Sequence, residues 1–164
     1  MKYQEDGWTG KVRFYADSML GKLCRWLRIM GYDVQYATSD MKDDEIIRTC
    51  TREKLVLITR DAELSRRYRP SVYIQHDDYS RQIQEFISIY PSDAKLYFSR
   101  CPLCNGPLLR TSDPAVMGSL PEGVRMLHDH AFVCSNCGKT YWEGSHYSSI
   151  VRKLNDVTGN KGDG

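Results

Sequence analysis

Hydrophobic positions in the first half of the chain switch between two periods. Residues 12–16 (VRFYA) form a short apolar run of strand character. Residues 18–30 (SMLGKLCRWLRIM) then place Leu20, Leu23, Leu27 and Met30 at helical spacing, with Lys22, Arg25 and Arg28 between them. Gly31 suits a helix end. The alternation continues through a strand at 33–37, an amphipathic helix at 43–54, a strand at 55–59 and a helix at 62–68. A strand at 71–75 and a helix at 80–90 complete it. Strand–helix repetition at this spacing requires crossover connections. It predicts an α/β fold with a parallel sheet covered on both faces.

The pattern breaks after Pro91. Residues 99–144 carry four cysteines, several glycines and prolines, and only short apolar segments. Such a stretch cannot build an ordinary core. A hairpin is expected around DPAVMGSLPEG (113–123), helical periodicity returns at 145–157, and the tail TGNKGDG is polar and glycine-rich. The expected division is an α/β domain at 10–95, a cysteine-bearing module with a C-terminal helix at 96–157, and a disordered tail at 158–164.

Composition narrows the setting. The chain has 164 residues, 41% hydrophobic and 27% charged, as in soluble globular proteins. Its net charge of +2 makes no strong demand for nucleic acid or a membrane, so any basic surface is local. No apolar run is long enough to span a bilayer. The first residues, MKYQEDGWTG, lack the apolar stretch of a secretory signal. A cytoplasmic location is expected, where six cysteines do not read as a disulfide framework.

Cysteine spacing supplies a better reading. CPLC gives Cys101 and Cys104; CSNC gives Cys134 and Cys137. Two C-x-x-C knuckles in one small region point to a Zn²⁺ ion held by four thiolates, since each turn delivers two sulfurs to the same metal. Four thiolates leave no open position, so the role is structural. Asn105 and Gly138 follow the knuckles, where the chain must turn tightly. Cys24 and Cys50 lie in helical segments and read as buried apolar residues. His128, His130 and His146 flank the knuckles and read as loop or helix-start residues.

Acidic residues follow every strand. Asp17 follows the first; Asp40, Asp43, Asp44 and Glu45 the second; Asp61 the third; Asp77 and Asp78 the fourth. In a parallel sheet all these positions lie on one rim, where ligand sites form. Each acid could instead cap the helix it precedes. Several caps on one rim repel one another unless a cation compensates, and clustered carboxylates suit Mg²⁺ or Mn²⁺. Such a site would support phosphodiester hydrolysis. Lys22, Arg25 and Arg28 on the first helix, and Arg60 beside Asp61, are candidate phosphate contacts. The alternative for them is a solvated basic face.

FYADSMLGKLCRWLRIMGYDV, then DDEII, LVLITRDAEL, the CPLC pair and CSNCGKTYWEGSHY occur in this order. Together they resemble the Mut-7 C-terminal ribonuclease family, a PIN-like domain with an appended zinc ribbon, over residues 12–155. The resemblance implies a metal-dependent ribonuclease with Asp17, Asp44, Glu45 and Asp61 at the acidic site and a fourth-strand acid, Asp77 or Asp78, of which Asp78 is taken as the candidate. It implies Lys22, Arg25 and Arg28 near the substrate on a signature basic helix. It also implies Cys101, Cys104, Cys134 and Cys137 as the ribbon's zinc ligands. The layout is similar to that of the endonuclease trimming small-subunit ribosomal RNA precursors, which brings ribosomal RNA or the ribosome into view as a partner. A competing reading is a non-catalytic RNA- or ribosome-binding protein using the basic helix and ribbon. A third is a protein-interaction adaptor built on the ribbon.

Overall fold

A computed structural model describes residues 12–159. The chain divides into a first unit ending at Asn105 and a second beginning at Gly106. The composition change after Pro91 and this packing boundary do not coincide. The first cysteine knuckle belongs to the first unit. The expectations for MKYQEDGWTG and for the tail beyond Gly159 fall outside the described residues.

In the first unit, β1 (Arg13–Ala16), β2 (Asp33–Tyr36), β3 (Val56–Thr59) and β4 (Ser71–Tyr73) form one sheet in the order β2-β1-β3-β4. Every pairing is parallel, with Phe14 opposite both Val34 and Val56 and Ile58 opposite Val72. The helices α1 (Gly21–Ile29), α2 (Asp43–Glu53), α3 (Ala62–Arg67) and α4 (Tyr79–Ile89) alternate with them. A 3₁₀ turn at Ser18–Leu20 leads into α1. These elements match the sequence periodicities closely.

Alternation along β1 sends neighbours to opposite faces. Phe14 joins Tyr32, Phe86 and Tyr90 in edge-on and stacked contacts, with ring centroids 4.9–5.9 Å apart. Tyr15 and Leu57 pack on the other face with Ile46, Cys50, Leu64 and Tyr68. β3 is buried at all four positions, as a central parallel strand requires. Cys24 and Cys50 are core residues, and burial pushes their thiols up to about 11 and about 12.

The second unit has a three-stranded antiparallel sheet of β5 (Leu108–Thr111), β6 (Ala131–Cys134) and β7 (Thr140–Tyr141). The expected hairpin over 113–123 does not form. Two short helices replace it, α5 (Pro114–Gly118) and α6 (Glu122–Leu127). The cause is local: Asp113 accepts the Ala115 amide at 2.8 Å and Pro114 follows it with a helix-compatible φ. The described residues end with α7 (Ser145–Thr158), closed by Gly159 at φ 71°.

Candidate functional site

The sheet order sets the place of the site. The chain steps from β1 outward to β2, then returns to β3 on the other side of β1. This reversal opens a crevice at the C-terminal ends of β1 and β3, the usual ligand position in such sheets. Asp17 leaves β1 there, and Thr59, Arg60 and Asp61 end β3.

Asp17 is buried, 5% exposed, and held by three donors. Its Oδ1 accepts the Met19 amide at 2.9 Å, and its Oδ2 accepts the Arg60 amide at 3.2 Å and the Thr59 hydroxyl. The same hydroxyl oxygen accepts the Asp61 amide at 2.9 Å. Thr59 therefore links the two acidic segments through one oxygen. Asp61 caps α3 with Oδ1 alone, accepting the amides of Glu63 at 2.7 Å and Leu64 at 2.9 Å. Its Oδ2 carries no hydrogen bond among the described residues, which leaves one oxygen for a cation while the other caps.

The remaining acids are employed differently. Asp44 and Asp43 pair with Arg67, the latter at 3.3 Å. Glu45 accepts the Lys42 amide at 3.0 Å across the first turn of α2. Asp78 caps α4 by accepting the Arg81 amide at 3.1 Å. Asp77 pairs with Arg60. Asp40 is exposed, its carboxyl held below the ordinary range by the Thr38 side chain.

Beside the crevice lies a cavity of about 330 Å³, lined in part by Met19, Lys22, Arg60, Asp78, Tyr79 and Gln82. Lys22 Nζ stands 3.8 Å from the centre of the Tyr79 ring, a cation–π contact that fixes the ammonium group at the cavity wall. Tyr79 also stacks on Trp26 at 5.7 Å. Arg60 Nε is buried and has no hydrogen-bond partner among the described residues. Arg25 is exposed on α1. Arg28 is not: it is 7% exposed, and its guanidinium bonds to backbone carbonyls.

The second candidate centre is the cysteine cluster. One ligand atom from each of Cys101, Cys104, Cys134 and Cys137 lies within 4.8 Å of the others. Zn–S bonds of about 2.3 Å in a tetrahedron place sulfurs roughly 3.8 Å apart, so the four thiols fit zinc. Both knuckles use the same turn. Asn105 and Gly138 have φ of 68° and 73°, and their amides donate to the Cys101 and Cys134 carbonyls at 2.9 and 3.0 Å. Cys134 Sγ accepts the amides of Asn136 and Cys137, each at 3.4 Å, a geometry suited to a thiolate. Among the described residues this is the one group of three or more ligating side chains close enough to share an ion. His130 bonds Asp129 at 2.6 Å, and His146 is exposed at the start of α7.

Sequence reasoning missed Thr59, Tyr79 and Gln82. A hydroxyl ending the apolar run LVLIT was the available signal for Thr59. Tyr79 had none, because its partners Lys22 and Trp26 are distant in sequence. Gln82, a polar residue in the first turn of an amphipathic helix, reads as surface although its amide bonds the His76 and Asp77 carbonyls.

A family model described as "Mut7-C RNAse domain" matches residues 12–154. No curated protein matches the chain, and no solved structure does.

Proposed function

The chain belongs to the Mut7-C RNAse domain family, and on that premise we propose that it hydrolyses RNA phosphodiester bonds with Mg²⁺ or Mn²⁺ at the rim between β1 and β3. The observation that carries this reading is the Asp17–Thr59–Asp61 arrangement at the sheet's reversal point. Mg²⁺ commonly takes only one or two protein carboxylates and fills its remaining positions with water and phosphate oxygens. Asp17 and the unbonded Oδ2 of Asp61 fit that requirement without a third acid. When bound, such an ion supplies an activated water and stabilises charge on the leaving oxygen.

The chain's own residues hold and orient. Three donors hold the Asp17 carboxyl group in one orientation at the end of β1. Thr59 sets the separation of the two acidic segments. Lys22 and Arg60 at the cavity, with Arg25 on the same helix as Lys22, offer cations to RNA phosphates. Asp78 lines that cavity, and Asp44 and Glu45 stand at the start of α2. We assign these three to shaping the rim's field. Arg28 is left out of the substrate set because its guanidinium is turned inward. Ribosomal RNA is one substrate class the layout suits, and the zinc-loaded cysteines would hold the ribbon.

One observation favours a second reading, a non-catalytic RNA binder. Apart from Asp40, each rim acid already bonds at a helix start or pairs with arginine. The two readings separate on divalent ions. The nuclease releases shortened RNA only with Mg²⁺ or Mn²⁺, and chelation stops it. The binder retains intact RNA in a salt-sensitive way whether or not those ions are present.

A further inference from the structure

Arg28 is a buried cation that the rim does not use. No carboxylate pairs with it among the described residues; its acceptors are three backbone carbonyls. Nε donates to Val34 at 2.8 Å, and Nη1 donates to Leu103 at 2.9 Å and Pro102 at 3.3 Å. Pro102 and Leu103 are the two residues between the thiols of the first knuckle. The guanidinium therefore grips the carbonyl side of the turn that presents Cys101 and Cys104.

The neighbouring contacts extend this grip. Asn105 accepts the Val34 amide at 3.1 Å and donates to Asp33 at 2.7 Å. Asp33 pairs with Arg100 at 3.0 Å, and Arg100 donates to the Asn105 carbonyl at 2.9 Å. Both backbone polar groups of Val34, on the outer strand β2, are thus satisfied by side chains tied to the knuckle. An isolated buried charge is costly unless it is compensated. Four thiolates around a divalent ion carry a net negative charge, which would supply that compensation.

We propose that Arg28 is a positioning residue of the four-cysteine metal centre. Its Nη1 holds the Cys101–Cys104 turn by donating to the carbonyls of both Pro102 and Leu103, its Nε anchors the guanidinium to Val34, and its charge offsets that of the thiolates. This rests on reading the cysteines as a metal site. The assignment places the two halves of one basic helix in different service, with Lys22 and Arg25 toward RNA and Arg28 toward the metal. Partners beyond the ligands themselves commonly change metal affinity by about 10–100-fold.

The test uses the full chain loaded with zinc and titrated with a chromogenic chelator, with cobalt(II) absorption as a second readout. Arg28→Met should give up zinc at roughly 10–100-fold lower chelator concentration. Its cobalt thiolate bands should shift, because the ligand field of the first knuckle changes. Arg28→Lys keeps the charge but loses the second nitrogen that anchors the side chain to Val34, and should recover part of the affinity. Arg25→Met should match the wild type. Should Arg28→Met fail to fold, Arg28→Lys and Asn105→Ala carry the test, each with weakened zinc retention expected. Wild-type retention in both, or in Arg28→Met, overturns the assignment. A wild-type chain that binds no zinc overturns the metal reading itself and this assignment with it.

Discussion

The two candidate centres are built by different means. The cysteine cluster is made by local turns: two knuckles, each followed by a left-handed residue (Asn105 or Gly138) and closed by the same amide-to-carbonyl bond, bring four sulfurs together. The acidic rim is made by topology. Parallel strands carry Asp17 and Asp61 to one crevice, and Thr59 ties them there. The thiols are converged and have one evident purpose. The carboxylates are each useful to the fold already, as caps or ion pairs. The four thiols lie close enough together to hold an ion such as zinc, whereas the proposed hard-ligand site needs an ion and a phosphate to complete it.

Removing zinc tests the difference most strongly. Structural four-ligand sites in small zinc peptides contribute on the order of 10–16 kcal/mol. Within the second unit, buried hydrophobic residues are few, among them Leu120, Ala131 and Leu154. Cys137→Ser is therefore expected to lose zinc and the protection of backbone amides in β5–β7, while amides of β1 and β3 remain protected. Hydrogen exchange with zinc analysis checks this. Equal protection with and without metal would show that the cysteines do not staple that unit.

Thr59→Val probes the rim. It keeps the shape of a side chain that is 0% exposed but removes the link between Asp17 and Asp61. Leaving the Asp61 amide without its acceptor should cost about 1–3 kcal/mol in denaturant unfolding, and cleavage should fall with it. Normal stability together with normal cleavage would remove Thr59 from the account.

The two duties of Asp61 can be separated next. Asn caps a helix about as well as Asp, whereas Ala costs about 1 kcal/mol. Asp61→Asn should keep stability and lose cleavage; Asp61→Ala should lose both. If both variants cleave normally, the residue is a cap alone.

The smallest effect concerns alkaline solution. Burial raises the Cys24 and Cys50 thiols from the ordinary value of 9.0 to about 11 and about 12. Between those values the unfolded chain has lost protons that the native chain keeps, so stability falls as pH rises. The contribution is fully present below about pH 9 and is lost as pH climbs toward 11 and 12. Cys50→Ala should make the zinc-loaded protein's stability fall less steeply there in thermal melts. An unchanged slope would contradict the burial argument.

Most of the first unit was legible because its signals are periodic. Each strand and helix from Arg13 to Ile89 lies within about two residues of the range that hydrophobic spacing predicts, save the start of α1, where Ser18–Leu20 forms a 3₁₀ turn and the α-helix begins at Gly21. The segment 113–123 was not, because glycine and proline mark a turn without stating which structure follows. There the cap at Asp113 decided for a helix. Asp17 and Asp61 were legible as rim residues, since parallel topology places them there. Arg28 was not legible as an interior residue. Helical spacing groups it with Lys22 and Arg25, and only the fold sets the knuckle's carbonyls against its guanidinium. Nor was the linking role of Thr59, which depends on strand register.

The central claim is that the rim between β1 and β3 cleaves RNA. The most direct measurement compares cleavage of a labelled single-stranded RNA by zinc-loaded wild type, Asp17→Asn and Asp61→Asn in Mg²⁺ or Mn²⁺, with folding checked by circular dichroism. The account predicts metal-dependent shortening by the wild type and its loss in both folded variants. Undiminished cleavage by both, or no cleavage by a folded wild type that binds the RNA, would contradict it.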